Sequence, residues 1–204
     1  MKQQLEPVHV MLDNETLSTH PNAHIVQVGL VHFSPEIFEV LSTKVISMEA
    51  KPQPGTHIDV GTVYFWLNQL WETQQAVFIQ GEDKTVSIQL ACGELYRFVM
   101  DACRLTWEED RTPTVGDLHQ AVHIWAKPAR FDIPQWENAF RHAGIEHMPW
   151  RRQNVNCVQT CINTANAKGF QLNSVPLLPG IHQPLNDCYH QISVLKAIAE
   201  FERT

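Results

Sequence analysis

The sequence predicts an α/β fold in which a mixed β-sheet is flanked by helices. Three apolar runs with strand character open the chain, and no helical pattern separates them. Strand and helix patterns then alternate, which is typical of a sheet covered by helices. The chain has 204 residues, of which 44% are hydrophobic and 18% charged, so we expect a single domain over residues 1–204.

Each predicted element follows from local periodicity and from the residues that interrupt it. Residues 8–13 form an apolar run that ends in acidic residues, and residues 25–33 and 40–48 complete a meander of three strands. Apolar residues at helical spacing predict helices over 62–78 and 85–105. A fourth strand over 122–126 precedes three helices, over 133–143, 156–168 and 185–201.

Composition excludes several classes of protein. No window approaches the roughly 18 apolar residues of a membrane helix, and the first ten residues do not resemble a signal peptide, so we expect a cytoplasmic protein without membrane contact. Five cysteines without a C-x-x-C pair indicate reduced thiols. The net charge of −7 argues against a broad basic face that coats nucleic acid, although not against a cleft that holds one strand end.

An acidic pair follows the first apolar run. Asp13 and Glu15 are two residues apart in an extended segment, so both side chains point to the same side and can share one hard cation. Such pairs also arise by chance, and a solvated strand end is the alternative interpretation.

Two further acidic residues, Asp132 and Asp187, can be explained by helix structure as well as by chemistry. Asp132 follows the fourth strand, and the order Asp132-Ile133-Pro134-Gln135 predicts a helix N-cap, which by itself explains Asp132 better than chemistry does. Pro184 suits the first position of the last helix, which leaves His182 in the preceding loop and Asp187 in the first turn. Asp187 there also favours the helix dipole.

Together these segments resemble the DEDDh exonucleases of the ribonuclease H-like superfamily, whose motifs are D-x-E, F-D after a strand, and H-x-x-x-x-D. Asp13, Glu15, Asp132, His182 and Asp187 match them in order. The segments MLDNET, IDVGTVYFWLNQ, WAKPARFD and MPWRRQNV are similar to a branch of phage and prophage exonucleases related to exodeoxyribonuclease VIII and exonuclease A, which includes mycobacterial exoribonucleases. The resemblance extends from about residue 8 to about residue 200.

The resemblance implies a ribonuclease H-like fold and a two-metal 3′-5′ exonuclease that releases 5′-mononucleotides. Asp13, Glu15, Asp132 and Asp187 would hold two Mg²⁺ or Mn²⁺ ions, because hard cations take oxygen ligands. His182 would accept the proton of the attacking water, since imidazole exchanges protons near neutral pH. The partner would be single-stranded DNA or RNA with a free 3′ end, and a homodimer is predicted by similarity.

Candidate substrate contacts are Thr16, Leu17, Trp66, Phe131 and Arg151. Leu17 departs from the glycine that many relatives carry there, which affects how closely the backbone approaches the terminal nucleotide. Phe65, Trp66 and Phe131 could stack on bases, and core packing is the alternative for all three. Arg151 could contact a phosphate, and a solvated surface charge is its alternative.

Two other classes of protein compete with the enzyme. His20 and His24, and likewise His119 and His123, have helical spacing for zinc ligands, but neither pair has a third ligand nearby in sequence. An exonuclease fold that has lost activity and serves as a nucleic-acid-binding or interaction module is the stronger alternative. Such modules commonly lack an acidic ligand, and this sequence lacks none.

Overall fold

A computed structural model of the protein describes residues 5–49, 51, 53, 55–78, 85–108, 111–177, 180 and 182–203. It shows a five-stranded sheet with the order β3-β2-β1-β4-β5. The strands are β1 (Val8–Thr16), β2 (Ile25–Phe33), β3 (Val40–Ser47), β4 (Val122–Ala126) and β5 (Val155–Cys157). Strands β1, β2 and β3 pair antiparallel, whereas β4 runs parallel to β1 and β5 parallel to β4, so the predicted mixed sheet is confirmed.

Seven α-helices surround this sheet within the described ranges. They are α1 (Val60–Leu67), α2 (Trp71–Phe78), α3 (Ile88–Trp107), α4 (Val115–Ala121), α5 (Ala129–His142), α6 (Val158–Ala167) and α7 (Pro184–Phe201). None of the described helices is both long and apolar enough to cross a membrane.

The alternation of side chains along β1 divides the core into two layers. Val10 and Leu12 pack in the larger cluster with α3 and α5, whereas Met11 packs in a second cluster with α6 and α7. Because successive side chains of a strand point to opposite faces, Asp13 and Glu15 lie on the α7 face and Asn14 on the α5 face.

Several predicted boundaries were wrong. The helix predicted over 62–78 is two helices, because the backbone N–H groups of Asn68 and Gln69 bond back into the last turn of α1 before Trp71 starts α2. The short elements α4 and β5 were missed. Strand β1 continues to Thr16, so Asp13 and Glu15 lie within the strand and not beyond its end.

Asp132 is not the helix cap that its sequence context predicts. Helix α5 begins at Ala129 with Pro128 as its N-cap, and Asp132 lies inside its first turn. No side chain caps this helix. The Oδ1 atom of Asp132 instead accepts the backbone N–H of Asn14 at 3.1 Å, so a contact to β1 replaces the local one.

Candidate active site

The centre of the site is the acidic pair on β1. Asp13 pairs with Gly29 of β2, and Glu15 pairs with Gln27. A Cβ atom at position 29 would lie 2.5 Å from the carbonyl carbon of Pro184. Gly29 therefore lets the first residues of α7 lie directly on the sheet beside Asp13.

Helix α7 and the loop before it contribute His182, Asp187 and Gln191 to this region. The backbone N–H of His182 donates to Oδ2 of Asp187 at 3.0 Å, which holds the loop before the helix against its first turn. His182 has a φ of 63°, an uncommon conformation for a residue other than glycine. One turn after Asp187, Nε2 of Gln191 donates to Oδ1 of Asp13 at 2.7 Å.

Helix α5 holds Asp132 against the backbone of β1. The side-chain amide of Asn14 donates to the Asp132 carbonyl oxygen at 3.2 Å and to Oε1 of Gln135 at 2.9 Å, and Nε1 of Trp136 donates to Oδ1 of Asn14 at 2.9 Å. Asn14 is 6% exposed and Asp132 is 1% exposed. This buried network determines where the Asp132 carboxylate lies relative to Asp13.

Burial raises the pKa values of all four carboxylates, and neighbouring negative charges raise those of Asp13 and Glu15 further. Burial raises the pKa of Asp13 well above its usual range, and the charges of Asp132, Glu15 and Asp187 raise it further, against the hydrogen bond from Gln191. The pKa of Glu15 is also raised well above its usual range, mainly by burial and further by the charges of Asp187 and Asp132. Burial raises the pKa of Asp132 to about 7, and it raises the pKa of Asp187 against the opposing effect of His182. The charge of Lys127 also opposes the rise at Asp187.

Unpartnered oxygens in the same cluster fit divalent cations. Oε1 of Glu15 and Oδ2 of Asp132 are buried and have no hydrogen-bond partner among the described residues. Ligand atoms of Glu15, His182 and Asp187 lie within 4.8 Å of one another. Buried carboxylate oxygens that accept no hydrogen bond are costly unless a cation binds them, so the carboxylates form a candidate metal site and the His182 ring lies beside it.

Aromatic residues of α1 form one wall of the site. The rings of Phe65 and His182 are 5.1 Å apart at 89°, and those of Trp66 and His182 are 6.0 Å apart at 76°. Trp66 is 5% exposed and donates from Nε1 to the carbonyl oxygen of Thr16 at 2.8 Å, so it mainly ties α1 to β1. Phe65 is 42% exposed.

A cavity of about 590 Å³ opens over the acidic pair. Of the sequence-predicted site residues, Asp13, Glu15, Thr16, Trp66, Phe131, His182 and Asp187 line it. Asp132 lies behind this lining, and Leu17 and Arg151 do not line the cavity. Leu17 instead lines a separate apolar groove beside Trp66, and Arg151 is exposed just after the buried Trp150.

The cavity also contains residues that the sequence analysis did not select. Asp59, Lys127, His190 and Gln191 all line it. Gln191 is four residues after Asp187, a spacing that places both on one face of α7 and was available from the sequence. Asp59 caps α1 by accepting the N–H of Thr62 at 2.9 Å. Lys127 directly follows β4, where a strand end reaches the site.

The histidine pairs considered for zinc have other partners. His24 is buried, and its ring nitrogens lie 3.2 Å from Oγ1 of Thr56 and 3.0 Å from the carbonyl oxygen of Glu49, whereas His20 stacks on His57. His119 reaches the carbonyl oxygen of Met148, and His123 stacks on His9. In the described part of the chain, neither pair belongs to a group of three or more potential metal ligands.

Comparison with known proteins gives a family and a fold. The family model described as the 3′-5′ exoribonuclease Rv2179c-like domain matches residues 8–199. No curated protein matches the sequence significantly.

Among solved structures, the zinc-bound complex of Escherichia coli exonuclease I with single-stranded DNA has 16% sequence identity and a TM-score of 0.65. That match covers 97% of this chain and 41% of the other. The same enzyme with a dT13 oligonucleotide has 16% identity and a TM-score of 0.62, and that match covers 98% and 41% of the two chains. The chain therefore spans less than half the length of exonuclease I.

Proposed function

The chain belongs to the 3′-5′ exoribonuclease Rv2179c-like domain family, and from this premise we propose that it is a two-metal-ion 3′-5′ exonuclease. It would shorten single-stranded DNA or RNA from the 3′ end and release 5′-mononucleotides. The observation that supports the proposal is the buried acidic cluster: Asp132, Glu15 and Asp187 are close enough to raise the pKa of Asp13, and buried oxygens of Glu15 and Asp132 lack partners among the described residues. The described strands share one sheet, which supports a single exonuclease domain over residues 1–204.

The four carboxylates would hold two Mg²⁺ or Mn²⁺ ions, since both prefer oxygen ligands. Bound there, the ions would supply positive charge against the attacking and leaving oxygens of the phosphodiester. Asp132 would be kept in place by Asn14, and Asp13 by Gln191. The zinc site considered from histidine spacing has no support.

His182 would act as the general base that accepts the proton of the attacking water. Its backbone bond to Asp187 and its edge contacts with Phe65 and Trp66 hold the ring at the acidic cluster. The ring would therefore reach a water at the cluster.

The terminal base would stack on Phe65, because this ring is exposed at the cavity whereas Trp66 is almost fully buried. Thr16 and Phe131 line the same cavity and remain proposed substrate contacts. Leu17 and Arg151 lie outside the lining, so a contact from either would require a strand that extends beyond the cavity. Exonuclease I binds single-stranded oligonucleotides in its complexes, which supports such a substrate.

A homodimer is proposed as well, and the exposed apolar face of α1 and α2 supports it. Val60, Tyr64, Leu67, Leu70 and Trp71 are each more than half exposed. Sedimentation equilibrium of the protein and of a Leu67→Glu variant would test this: a dimer that Leu67→Glu dissociates supports the interface, and a monomer at all concentrations contradicts it.

The decisive experiment compares strands labelled at the 3′ and 5′ ends, as single-stranded DNA, RNA and duplexes, with Mg²⁺ and with Mn²⁺. We expect immediate release of the 3′ label as mononucleotide and progressive shortening of 5′-labelled strands. Binding of all strands without hydrolysis would instead support the inactive binding module.

Two variants separate the proposed roles. Asp13→Ala should abolish metal binding and turnover together, whereas His182→Ala should lose most turnover and keep metal binding by calorimetry. Asp101→Asn removes an exposed carboxylate of α3 and serves as the control with ordinary activity. Activity in Asp13→Ala, or loss of metal binding in His182→Ala, would contradict the assignments.

A further inference from the structure

Lys127 reaches the site for a topological reason. Strands β1 and β4 run parallel, and Met11 pairs with Trp125. Two residues beyond this pair, Asp13 lies in β1 and Lys127 is the residue that directly follows β4. Trp125 packs in the α6 and α7 cluster with Met11, and the side chains of Asp13 and Lys127 line the same cavity.

Lys127 brings a positive charge to a cavity whose described lining includes four carboxylates. The described lining includes the carboxylates of Asp13, Glu15, Asp59 and Asp187, and Lys127 is its one lysine or arginine. The side chain is half-buried, yet across the described residues no carboxylate forms an ion pair with it. Burial raises the pKa of Asp187, and Lys127 is among the charges that oppose this rise, so the ammonium group is close to the cluster.

We propose that Lys127 binds a phosphodiester oxygen of the substrate strand and so positions that strand over the acidic cluster. The inference rests on the proposed exonuclease function and adds a residue to it. A lysine ammonium group is a compact charge with three donors, and it binds phosphate as a point charge. A half-buried cation without a carboxylate partner can give its full charge to an entering anion.

The competing explanation is that Lys127 only offsets the negative charge of the acidic cluster. In that case, substitution of Lys127 would change the stability of the metal-free protein and the Mn²⁺ affinity. The affinity for the strand would change only as a result of the changed Mn²⁺ affinity. If Lys127 binds a phosphate of the strand, the opposite pattern is expected. Mn²⁺ affinity then stays nearly constant while strand affinity falls and depends less on salt.

The first measurement is strand binding without turnover. A single-stranded oligonucleotide with a 5′ fluorophore is titrated with protein in Ca²⁺, from low to moderate KCl, and read by fluorescence anisotropy. Lys127→Gln should bind about tenfold more weakly, and its slope of log affinity against log salt should be shallower by about 0.7, the value for one phosphate contact on a single strand. Lys127→Arg should recover most of the affinity.

The matched control is Lys196→Gln, which removes the same charge from an exposed position of α7 outside the cavity. Equal affinity and equal salt slope in Lys127→Gln and Lys196→Gln would overturn the proposal. So would a fall in Mn²⁺ affinity, measured by calorimetry, as large as the fall in strand affinity.

Turnover then identifies which phosphate is bound. If Lys127 contacts the scissile phosphate, Lys127→Gln will raise KM for thymidine 5′-(p-nitrophenyl phosphate) and for an oligonucleotide alike. If it contacts the next phosphate, only the oligonucleotide KM will rise. Either result supports the proposal, and an unchanged KM for both overturns it. Absence of hydrolysis by the wild-type protein would reject the exonuclease function, while the binding comparison would still decide the role of Lys127.

Discussion

Gln191 connects helix α7 to the catalytic strand through a single side chain. Its amide donates to Asp13 at 2.7 Å, and its own Oε1 is buried and without a partner in the described ranges. A donor that binds one oxygen of a carboxylate fixes the direction of the second oxygen. Groups that orient metal ligands in this way affect metal affinity strongly.

We therefore predict that Gln191→Leu weakens Mn²⁺ binding by roughly 10- to 100-fold, because Asp13 loses the group that orients it. Calorimetric titration with Mn²⁺ measures the change. The variant should still bind a single strand in Ca²⁺ at saturating concentration. Unchanged Mn²⁺ affinity would show that the β-strand alone holds Asp13 in place.

At the residue scale, the sequence identified the carboxylates and the histidine of the motif but not the residues that position them. Asp13, Glu15, Asp132, His182 and Asp187 match a spaced motif, so their proximity was predictable. Asn14 and Gln191 carry no such pattern. Their roles depend on contacts between residues more than 100 positions apart, which only the folded backbone establishes.

At the element scale, the close contact between α7 and β2 depends on the missing side chain of Gly29. The carbonyl group of Pro184 and the N–H of Leu185 occupy the space where a Cβ would lie. Since His182 and Asp187 flank this contact, the position of the helix and the geometry of the site are linked.

Gly29→Ala should therefore destabilise the protein by about 1 to 3 kcal/mol and reduce activity, because backbone atoms must move to admit the methyl group. Urea unfolding and turnover measure the two effects. Gly93→Ala in α3 is the control, because a Cβ there meets nothing within 4 Å. This control should gain about 0.5 to 1 kcal/mol through helix propensity. A Gly29→Ala variant as stable as the wild type would contradict the close contact.

Long periodic elements were predictable, whereas short elements and one helix start were not. The strands over 25–33 and 122–126 agree with the structure because their apolar patterns are continuous. Strand β5 has three residues and α4 has seven, too few to show a period. The start of α5 was wrong because the Asp132 carboxylate bonds to β1, and this tertiary contact outweighed its capping propensity.

At the scale of the whole molecule, the mixed sheet was predictable, but the pairing of β4 with β1 was not. Apolar periodicity predicts that a segment is a strand, but it does not predict which strand pairs with it. That parallel pairing brings Lys127 and Asp132 to Asp13, so the site depends on the part of the topology that local patterns do not encode.

Acid sensitivity is a second property of the whole fold. His32 is 1% exposed, burial lowers its pKa to about 4, and its Nδ1 has no partner among the described residues. The unfolded chain binds a proton near pH 6.5, so the stability that His32 contributes is present above that pH and is lost as pH falls toward 4.

We predict a loss on the order of 2 kcal/mol from His32 between pH 7 and pH 5. Urea unfolding of the wild type and His32→Gln at both pH values, in a chelator, isolates this contribution, because the acidic cluster affects both proteins equally. The variant should lose less stability on acidification. A difference between the two proteins that is the same at both pH values would contradict the prediction.

The position of α7 in chain order has a consequence for biosynthesis. Asp13 and Glu15 on β1 leave the ribosome before α7, which comes last among the described elements and places His182, Asp187 and Gln191 beside them. Under the proposed function, a nascent chain that has folded through α6 lacks a complete nuclease centre. Hydrolysis of a strand by the nascent chain must therefore await translation of α7.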